Sequence, residues 1–398
     1  MLETKERQGP GTLRRSPGPE PPPAPAGWAR MDGALPPIAE GPPPARARRA
    51  LWRPRRVVLT RSALLWEHGR TIAERAALLG VPVTELPADR LALDWPSDPR
   101  RAYAEAKGTL AVVVAPPSKR RLQPIPPSAD WRVDLAEGCP AHCSYCYLAG
   151  SLKGPPVTRA YANLPEIVEA IPRHLGEGTV TSRQEARAHE GTTFEASCYT
   201  DPLAIEHLTG SLAALVEWFG RWDAPAQLRF TTKYDAVEPL LGLRHGGRTR
   251  MRASVNPAAF ARHEGGTSPV AARLRALRRM AEAGYPIGLT VAPIIAAPGW
   301  EEAYAGLLGE AAATLDGLAP DLTVELITHR YTPSSKEVLT SWYPGSDLDM
   351  TGEGRAEKRT RFGGVKHVYD KPTMSAVRLF FERELAARLP SARLLYFT

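Results

Sequence analysis

Residues 134–150 read DLAEGCPAHCSYCYLAG, and this stretch decides what the rest of the chain folds around. Three of the four cysteines of the chain, Cys139, Cys143 and Cys146, lie in it, separated by three and then two residues. Thiolates this close together in one loop can bind an iron–sulfur cluster or a zinc ion, because both accept soft sulfur ligands. The stretch therefore predicts a metal centre.

The number of ligands favours an iron–sulfur cluster. A zinc site normally takes a fourth Cys or His at comparable spacing; His142 lies between the cysteines, but no second CxxC follows. Three ligands leave one iron of a [4Fe–4S] cluster free to bind the amino and carboxylate groups of S-adenosylmethionine. The CxxxCxxC spacing, with Tyr145 before the last cysteine, is that of a radical S-adenosylmethionine enzyme. A structural zinc loop and three unrelated buried thiols are the alternatives.

Composition is consistent with an intracellular enzyme. The 398 residues contain no apolar run of about 18 residues and no signal-peptide core, so we expect a cytoplasmic protein without a membrane partner. Four cysteines, three of them clustered, argue against a disulfide framework. The formal net charge of +8 suits a polyanionic partner such as nucleic acid.

Four segments are expected along the chain. Residues 1–52, rich in Pro, Gly, Ala and Arg, are predicted to be disordered. Residues 53–128 are predicted to form a small α/β lead-in domain and a linker. A barrel is expected over 129–330. Residues 331–398 are expected to form a C-terminal segment with a β-hairpin, a closing helix and a strand.

The barrel is predicted from alternating strand and helix patterns. Strands are expected near residues 131–137, 192–198, 227–232, 251–256, 287–294 and 322–328. Helices are expected between them, for example at 165–175, 202–222, 269–283 and 300–315. Six such units predict an α/β fold with a partial (β/α)6 TIM-type barrel, whose chemistry belongs at the C-terminal ends of its strands.

Polar or reactive residues follow several of these strands. Cys198 follows the second, and its S–H bond can give a hydrogen atom to a carbon radical, unless it is only a small packed side chain. Lys233, Ser254, Asn256 and Ala292 follow the next three strands and can hold the carboxylate, ribose and adenine of a cofactor. A salt-bridged surface lysine and a strand-end cap are the alternatives for Lys233 and Ser254.

Several longer stretches carry a family resemblance. They include CPAHCSYCYLAGSL, FEASCYTDPLAIEHLT, LRFTTKYDAVEPLL, DLTVELITHRYT and the terminal YFT. Together they resemble the spore photoproduct lyase family, from about residue 57 to residue 398. Enzymes of that family repair a methylene-bridged thymine dimer in DNA, called spore photoproduct, without light.

The resemblance implies a radical mechanism. A reduced cluster on the three cysteines cleaves S-adenosylmethionine, and the 5′-deoxyadenosyl radical abstracts a hydrogen from the lesion. Cys198 then donates a hydrogen to the thymine radical, and Tyr145 and Tyr147 relay the thiyl radical back to the cofactor. Both tyrosines could instead be packing aromatics beside the cluster.

The resemblance also implies cofactor contacts at Thr200, Lys233, Ser254 and the backbone around Ala292. Family members commonly have Ser where Thr200 stands, and the hydroxyl is retained. Tyr199 is bulkier than the small polar residue expected there. Its size bears on the shape of the lesion pocket.

A DNA-binding hairpin is predicted at residues 358–371, KRTRFGGVKHVYDK. The resemblance places Arg361 and Phe362 as a wedge in the DNA, where the family tends to have Arg and Tyr. Lys366 is a further candidate from the charge of the hairpin, and Arg330, Lys336 and His367 are weaker candidates for phosphate contacts. The alternative is an edge hairpin whose basic side chains prevent aggregation.

The expected partners are damaged double-stranded DNA, from which the lesion is flipped out, and a flavodoxin- or ferredoxin-type reductant. Two other functions stay open from the sequence. Radical repair of a different cross-linked lesion is one, because Tyr199 and Phe362 depart from the family pattern. A zinc-loop nucleic-acid-binding protein without catalysis is the other.

Overall fold

A computed structural model describes residues 51–151, 154–359 and 363–398. The predicted disorder of the N-terminal extension therefore lies outside the described residues, apart from its last two positions. In chain order the strands are β1 (Arg56–Leu59), β2 (Val83–Glu85), β3 (Thr109–Val113), β4 (Gln123–Ile125), β5 (Ala129–Val133), β6 (Ala136–Glu137), β7 (His142–Cys143), β8 (Thr158–Tyr161), β9 (Thr192–Ala196), β10 (Ala226–Thr232), β11 (Thr249–Val255), β12 (Glu264–Gly265), β13 (Ile287–Ile294), β14 (Leu322–Thr328), β15 (Arg355–Arg359), β16 (Val365–Tyr369) and β17 (Arg393–Phe397).

The helices connect these strands. In chain order they are α1 (Glu67–Leu78), α2 (Pro99–Lys107), α3 (Pro117–Arg120), α4 (Leu164–Glu169), α5 (Glu206–Thr209), α6 (Ser211–Arg221), α7 (Glu238–Leu241), α8 (Val270–Glu282), α9 (Trp300–Leu315), α10 (Pro333–Trp342) and α11 (Lys371–Arg388). None of the described helices combines the length and the apolar character needed to cross a bilayer.

The large sheet confirms the predicted partial barrel. Its strand order is β17-β14-β13-β11-β10-β9-β5-β4, and all neighbours from β5 to β17 are parallel. The strands stand in chain order, as βα units predict, and form a curled half-barrel. The terminal strand β17 extends the sheet beyond the six predicted strands. At the other edge β4, from the predicted linker, pairs antiparallel with β5.

Buried ion pairs fill part of the sheet interior. Arg252 of β11 donates to Glu325 of β14 at 2.6 Å and also pairs with Glu195 of β9. Arg229 of β10 lies 3.4 Å from the same Glu325. All four side chains are at most 4% exposed. Parallel strands covered on both faces are normally continuous apolar runs; here charged residues take the inward positions and neutralise one another.

Two predicted helices are shorter than expected. The helix predicted at 202–222 is broken at Gly210, whose φ of 65° is left-handed, and α6 starts only at Ser211. The carboxylate of Glu206 accepts the N–H groups of Leu212 and Ala213 at 2.9 Å and so caps α6. The helix predicted at 165–175 ends at Glu169, before a short 3₁₀ turn that contains Pro172.

The strand predicted at 131–137 is divided between two sheets. β5 ends at Val133, and β6 pairs antiparallel with β8. The small sheet has the order β2-β1-β3-β8-β6. Two of its strands, β6 and β8, come after residue 128, where the lead-in domain was predicted to end. Strands of the small sheet and of the barrel therefore alternate along the chain.

The predicted C-terminal hairpin is present as β15 and β16, which pair antiparallel. The middle of β16 is anchored by backbone hydrogen bonds between His367 and Tyr331 at 2.8 and 3.2 Å. Part of its tip, residues 360–362, lies outside the described residues. The closing helix α11 begins after Asp370, whose carboxylate accepts the Thr373 N–H at 2.9 Å.

Candidate active site

The cysteine loop follows β5 and is held by a short antiparallel pair. Gly138, directly before Cys139, has a φ of 75°, and a side chain there would meet the Val157 carbonyl oxygen at 2.3 Å. Further along, β7 pairs with β12, which places Glu264 opposite Cys143. The loop conformation therefore depends on residues more than 100 positions later in the chain.

The three loop cysteines are free thiols and partly buried. Burial raises the pKa of Cys139 to about 11 and that of Cys143 to about 12, so both are neutral thiols at pH 7 without a bound cation. Within the described ranges, no group of three or more His, Cys, Asp or Glu side chains is arranged to hold a metal ion. Metal binding therefore requires the Cys139 and Cys143 thiols to lose their protons.

Four of the predicted cofactor residues lie together at the ends of β10, β11 and β13. The Lys233 ammonium donates to Ser254 Oγ at 2.9 Å and to the Ala292 carbonyl at 3.0 Å. Asn256 Nδ2 donates to the same carbonyl at 3.2 Å. This convergence is what parallel strands ending at one edge produce.

Glu264 completes this group and was missed from the sequence. Its Oε1 accepts from Lys233 at 2.8 Å and from Asn256 at 3.0 Å, and Arg273 lies 2.6 Å from Oε2. Burial alone would raise the pKa of Glu264, but Lys233 and Arg273 lower it to about 2. The only sequence signal for the residue was its place before Gly265 and Gly266.

The two predicted relay tyrosines have different surroundings. Tyr145 is buried, and its hydroxyl donates to Glu264. Its ring also lies 5.4 Å from the Lys233 ammonium. Tyr147 is partly exposed, and its ring faces the guanidinium of Arg330 at 5.5 Å. Tyr145 thus lies in the polar group described above, whereas Tyr147 lies beside a predicted DNA contact.

Cys198 lies on a sharp turn after β9. Ser197 has a left-handed φ of 54°, and its hydroxyl accepts the Leu135 N–H at 3.0 Å. The turn brings Cys198 to the strand-end edge of the sheet. Burial, and then the charges of Asp134 and Glu195, raise the pKa of Cys198 far above its ordinary value. The side chain therefore keeps its S–H hydrogen at neutral pH.

Tyr199, which follows Cys198, lies among basic side chains. The Arg132 guanidinium is 4.4 Å from its ring centroid, and the Lys119 ammonium is 5.7 Å away. Arg132 also pairs with Asp134 at 3.2 Å. The bulky ring predicted to alter the lesion pocket is therefore fixed by cation–π contacts.

Two buried hydroxyls in this region have no hydrogen-bond partner among the described residues. They are the oxygens of Thr200 and Tyr234. Cys139 and Cys143 are among the groups that raise the pKa of Tyr234 after burial does, which places its ring near the cysteine loop. Unsatisfied buried hydroxyls cost about 1–3 kcal/mol each. Their position fits a site that receives a polar ligand, and Tyr234 was not predicted from the sequence.

In the described part of the hairpin, Lys358 and Lys366 form no ion pair. Lys358 of β15 stands directly opposite Lys366 of β16, an arrangement that like-charge repulsion disfavours. Burial, Arg330 and Lys358 lower the pKa of Lys366, in that order. The predicted wedge residues Arg361 and Phe362 lie outside the described residues.

Two of the weaker candidates for DNA contact, His367 and Lys336, have different surroundings. His367 stacks on Tyr331 with ring centroids 4.8 Å apart, and its backbone anchors the middle of β16 to Tyr331, so its contacts are structural. Lys336 is exposed on α10. It also lines an open cavity of about 420 Å³ beside the cysteine loop, together with Ser144, Leu339 and Tyr343.

Comparison with known proteins gives one consistent result. The family model for spore photoproduct lyase matches residues 52–398. A spore photoproduct lyase of Geobacillus sp. (strain Y412MC61) is 38% identical over 348 residues, covering 87% of this chain and 98% of that protein. The enzyme of Bacillus subtilis (strain 168) is 35% identical, with the same coverage.

Solved structures agree in fold. A spore photoproduct lyase double mutant with bound AdoMet and dinucleoside spore photoproduct superimposes with a TM-score of 0.81 at 36% identity, covering 88% of this chain and all of that one. A second structure, complexed with dinucleoside spore photoproduct alone, gives a TM-score of 0.80 at the same identity and coverage.

Proposed function

This chain belongs to the spore photoproduct lyase family, and on that premise we propose that it repairs spore photoproduct in DNA through Cys198 and Tyr145. The observation that supports this assignment best is the polar group at the ends of β10, β11 and β13. It lies against the cysteine loop through Glu264, which pairs with Cys143 on one side and Lys233 on the other.

The cofactors are a [4Fe–4S] cluster and S-adenosylmethionine, and the residues present fit both. Cys139, Cys143 and Cys146 would hold the cluster, since soft thiolates suit iron and leave one iron free. When bound, the two groups supply a carbon-centred radical that abstracts a hydrogen from the lesion. The unsatisfied Thr200 hydroxyl can satisfy a polar ligand atom.

Lys233 and its neighbours would bind the charged end of S-adenosylmethionine. The Lys233 ammonium already makes three hydrogen bonds, to Ser254, Glu264 and the Ala292 carbonyl. An ammonium has three N–H donors, so Lys233 must exchange one partner to accept a ligand carboxylate. Ser254 and Asn256 would likewise exchange a partner to hold the ligand's other polar groups, since Asn256 Nδ2 already donates to Glu264 and to the Ala292 carbonyl.

Cys198 would donate the hydrogen that completes repair. Its S–H bond breaks, a C–H bond forms on the thymine radical, and one unpaired electron stays on sulfur. A thiolate could not serve, because it has no hydrogen to give. The raised pKa of Cys198 keeps the thiol form at physiological pH.

Tyr145 would then give its O–H hydrogen to the Cys198 sulfur radical, and Tyr147 would give its own O–H hydrogen to the Tyr145 oxygen, so that the unpaired electron returns through Tyr147 to the cofactor. The Tyr145 hydroxyl is oriented by the Glu264 carboxylate. That carboxylate is charged at neutral pH because Lys233 and Arg273 hold its pKa at about 2. Glu264 therefore fixes both the orientation and the hydrogen-bond polarity of the phenol.

The damaged DNA would lie across the hairpin. Lys358 and Lys366 face one another, and the positive charge of Arg330 also acts on Lys366. Bound phosphate groups would reduce the repulsion among these three side chains. We further propose double-stranded DNA as the substrate, with the lesion flipped towards Cys198. A one-electron protein donor of the flavodoxin or ferredoxin type would reduce the cluster.

The direct test is an anaerobic reaction of the reconstituted protein with dithionite, S-adenosylmethionine and a synthetic spore photoproduct dinucleotide, resolved by chromatography and mass spectrometry. Two repaired thymidines are expected, and triple Ala substitution of the loop cysteines should abolish them. Cleavage of S-adenosylmethionine without repair would contradict the lesion assignment and indicate a different cross-linked substrate.

Cys198→Ala separates the radical chemistry from the hydrogen donation. The variant should still form 5′-deoxyadenosine but release misquenched thymine products. Repair as clean as that of the wild type would refute the donor role of Cys198. Ser151→Ala, at an exposed position after the cysteine loop, is the matched control.

A further inference from the structure

Helix α2, from the N-terminal lead-in region, lies against the cysteine loop. Tyr103 and Lys107 are four residues apart and so share one face of the helix. His142 stands between the first two loop cysteines in the sequence, and its Nδ1 lies 2.9 Å from the Tyr103 hydroxyl. The Tyr103 hydroxyl is also hydrogen-bonded to the Tyr343 hydroxyl. The lead-in region therefore forms one wall of the cluster site.

Lys107 makes the closest contact of this wall. Its ammonium donates to the backbone carbonyls of Cys139 at 2.6 Å and of Ala141 at 2.5 Å. The residue is only 8% exposed. Among the described residues, no carboxylate forms an ion pair with it. A buried ammonium that has only carbonyl dipoles and the Tyr103 ring, 5.7 Å away, around it is costly unless an anion also lies close.

An iron–sulfur cluster bound to the cysteine loop would be that anion. Three thiolates give the iron–sulfur centre negative charge. One-electron reduction adds one further negative charge, because no proton is taken up with the electron. Hydrogen bonds and net charge around such a centre set its reduction potential. A fixed positive charge at the loop favours the reduced, more negative form.

We propose that Lys107 is the counter-charge of the iron–sulfur centre, a positioning residue that stabilises the bound cluster and raises its reduction potential. This inference rests on the proposed function, because it needs the cluster to be present. It assigns the lead-in region a role in the chemistry, since Lys107 reaches the loop from outside the barrel.

The test compares reconstituted wild type with Lys107→Met, Lys107→Gln, Lys107→Arg and the control Arg101→Met. Arg101 is exposed on the same helix, so its loss removes one charge without touching the loop. Iron and sulfide content and the midpoint potential of the cluster are measured anaerobically, the latter by dye-mediated titration with dithionite followed by EPR.

Lys107→Met and Lys107→Gln should have more negative midpoint potentials than the wild type, whereas Lys107→Arg and Arg101→Met should stay near it. Equal potentials in all the variants would overturn the proposal. If Lys107→Met loses iron, Lys107→Gln and Lys107→Arg decide the question: a more negative potential in Gln, or loss of iron by Gln but not by Arg, supports the charge, whereas a Gln variant with the wild-type iron content and potential refutes it in favour of hydrogen bonding alone. A wild type that binds no cluster would instead refute the proposed function.

Discussion

Replacing Glu264 by Gln should destabilise the protein by about 3 kcal/mol at pH 7. The carboxylate is 5% exposed and neutralises both Lys233 and Arg273. Its pKa falls from the ordinary 4.5 to about 2 on folding. At 1.36 kcal/mol per pH unit this difference corresponds to about 3 kcal/mol. Removal of one partner from a buried ion pair costs a similar amount, about 3–5 kcal/mol.

The effect should depend on pH with a definite sign. Because the folded-state pKa is lowered, the stabilisation is fully present above pH 4.5 and is lost as the pH falls through 2. The difference between wild type and Glu264→Gln should therefore shrink to about 2 kcal/mol at pH 3.5.

Thermal unfolding without S-adenosylmethionine measures this difference. With about 350 folded residues and an unfolding entropy of roughly 2.1 cal/mol/K per residue, 3 kcal/mol lowers Tm by about 4 °C. The control is Glu382→Gln, which removes an exposed ion pair with Arg378 and should change Tm by less than about 1 °C. Equal Tm values for the Glu264 variant and the control at pH 7 would refute the ion-pair reasoning.

Three further substitutions test other parts of the structure. Arg252→Met should cost about 3–5 kcal/mol in urea unfolding, because it leaves Glu195 buried without its ion-pair partner and Glu325 with only Arg229 at 3.4 Å; a loss below about 1 kcal/mol would contradict this. Lys366→Ala should weaken DNA binding and lower the slope of log affinity against log salt by about one; an unchanged slope would remove the hairpin from the interface. Thr200→Val should raise the ligand-free stability by about 1–3 kcal/mol, because it removes a buried hydroxyl that has no partner among the described residues, but weaken S-adenosylmethionine binding about tenfold in calorimetry; unchanged affinity would show that the hydroxyl does not bind the cofactor.

The regular parts of the barrel were predictable because their patterns are local. The strand predicted at 287–294 and the helix predicted at 300–315 have the predicted bounds. The break at Gly210 was not predicted, because a glycine within an apolar pattern does not by itself show a left-handed turn. The strand at 131–137 was also misplaced, because one continuous pattern serves two different sheets.

The site was predictable where strand ends carry its residues. Lys233, Ser254, Asn256 and Ala292 come together as the parallel arrangement requires. Glu264 and Lys107 were missed for the opposite reason. Each reaches the cysteine loop through a contact between distant segments, by antiparallel pairing in one case and helix packing in the other. Neither contact leaves a periodic pattern in the sequence.

The chain order of the large sheet also bears on how the cofactor is loaded during synthesis. Each parallel strand from β5 to β17 adds to the edge left by the strand before it, so the sheet can grow as the chain leaves the ribosome. All three loop cysteines emerge early, but Glu264, which pairs across Cys143, follows about 120 residues later, or roughly 6–24 s at 5–20 residues per second. All residues of the cysteine loop are therefore synthesised well before the pairing of β7 with β12 can form. Insertion of the cluster should follow translation of β12.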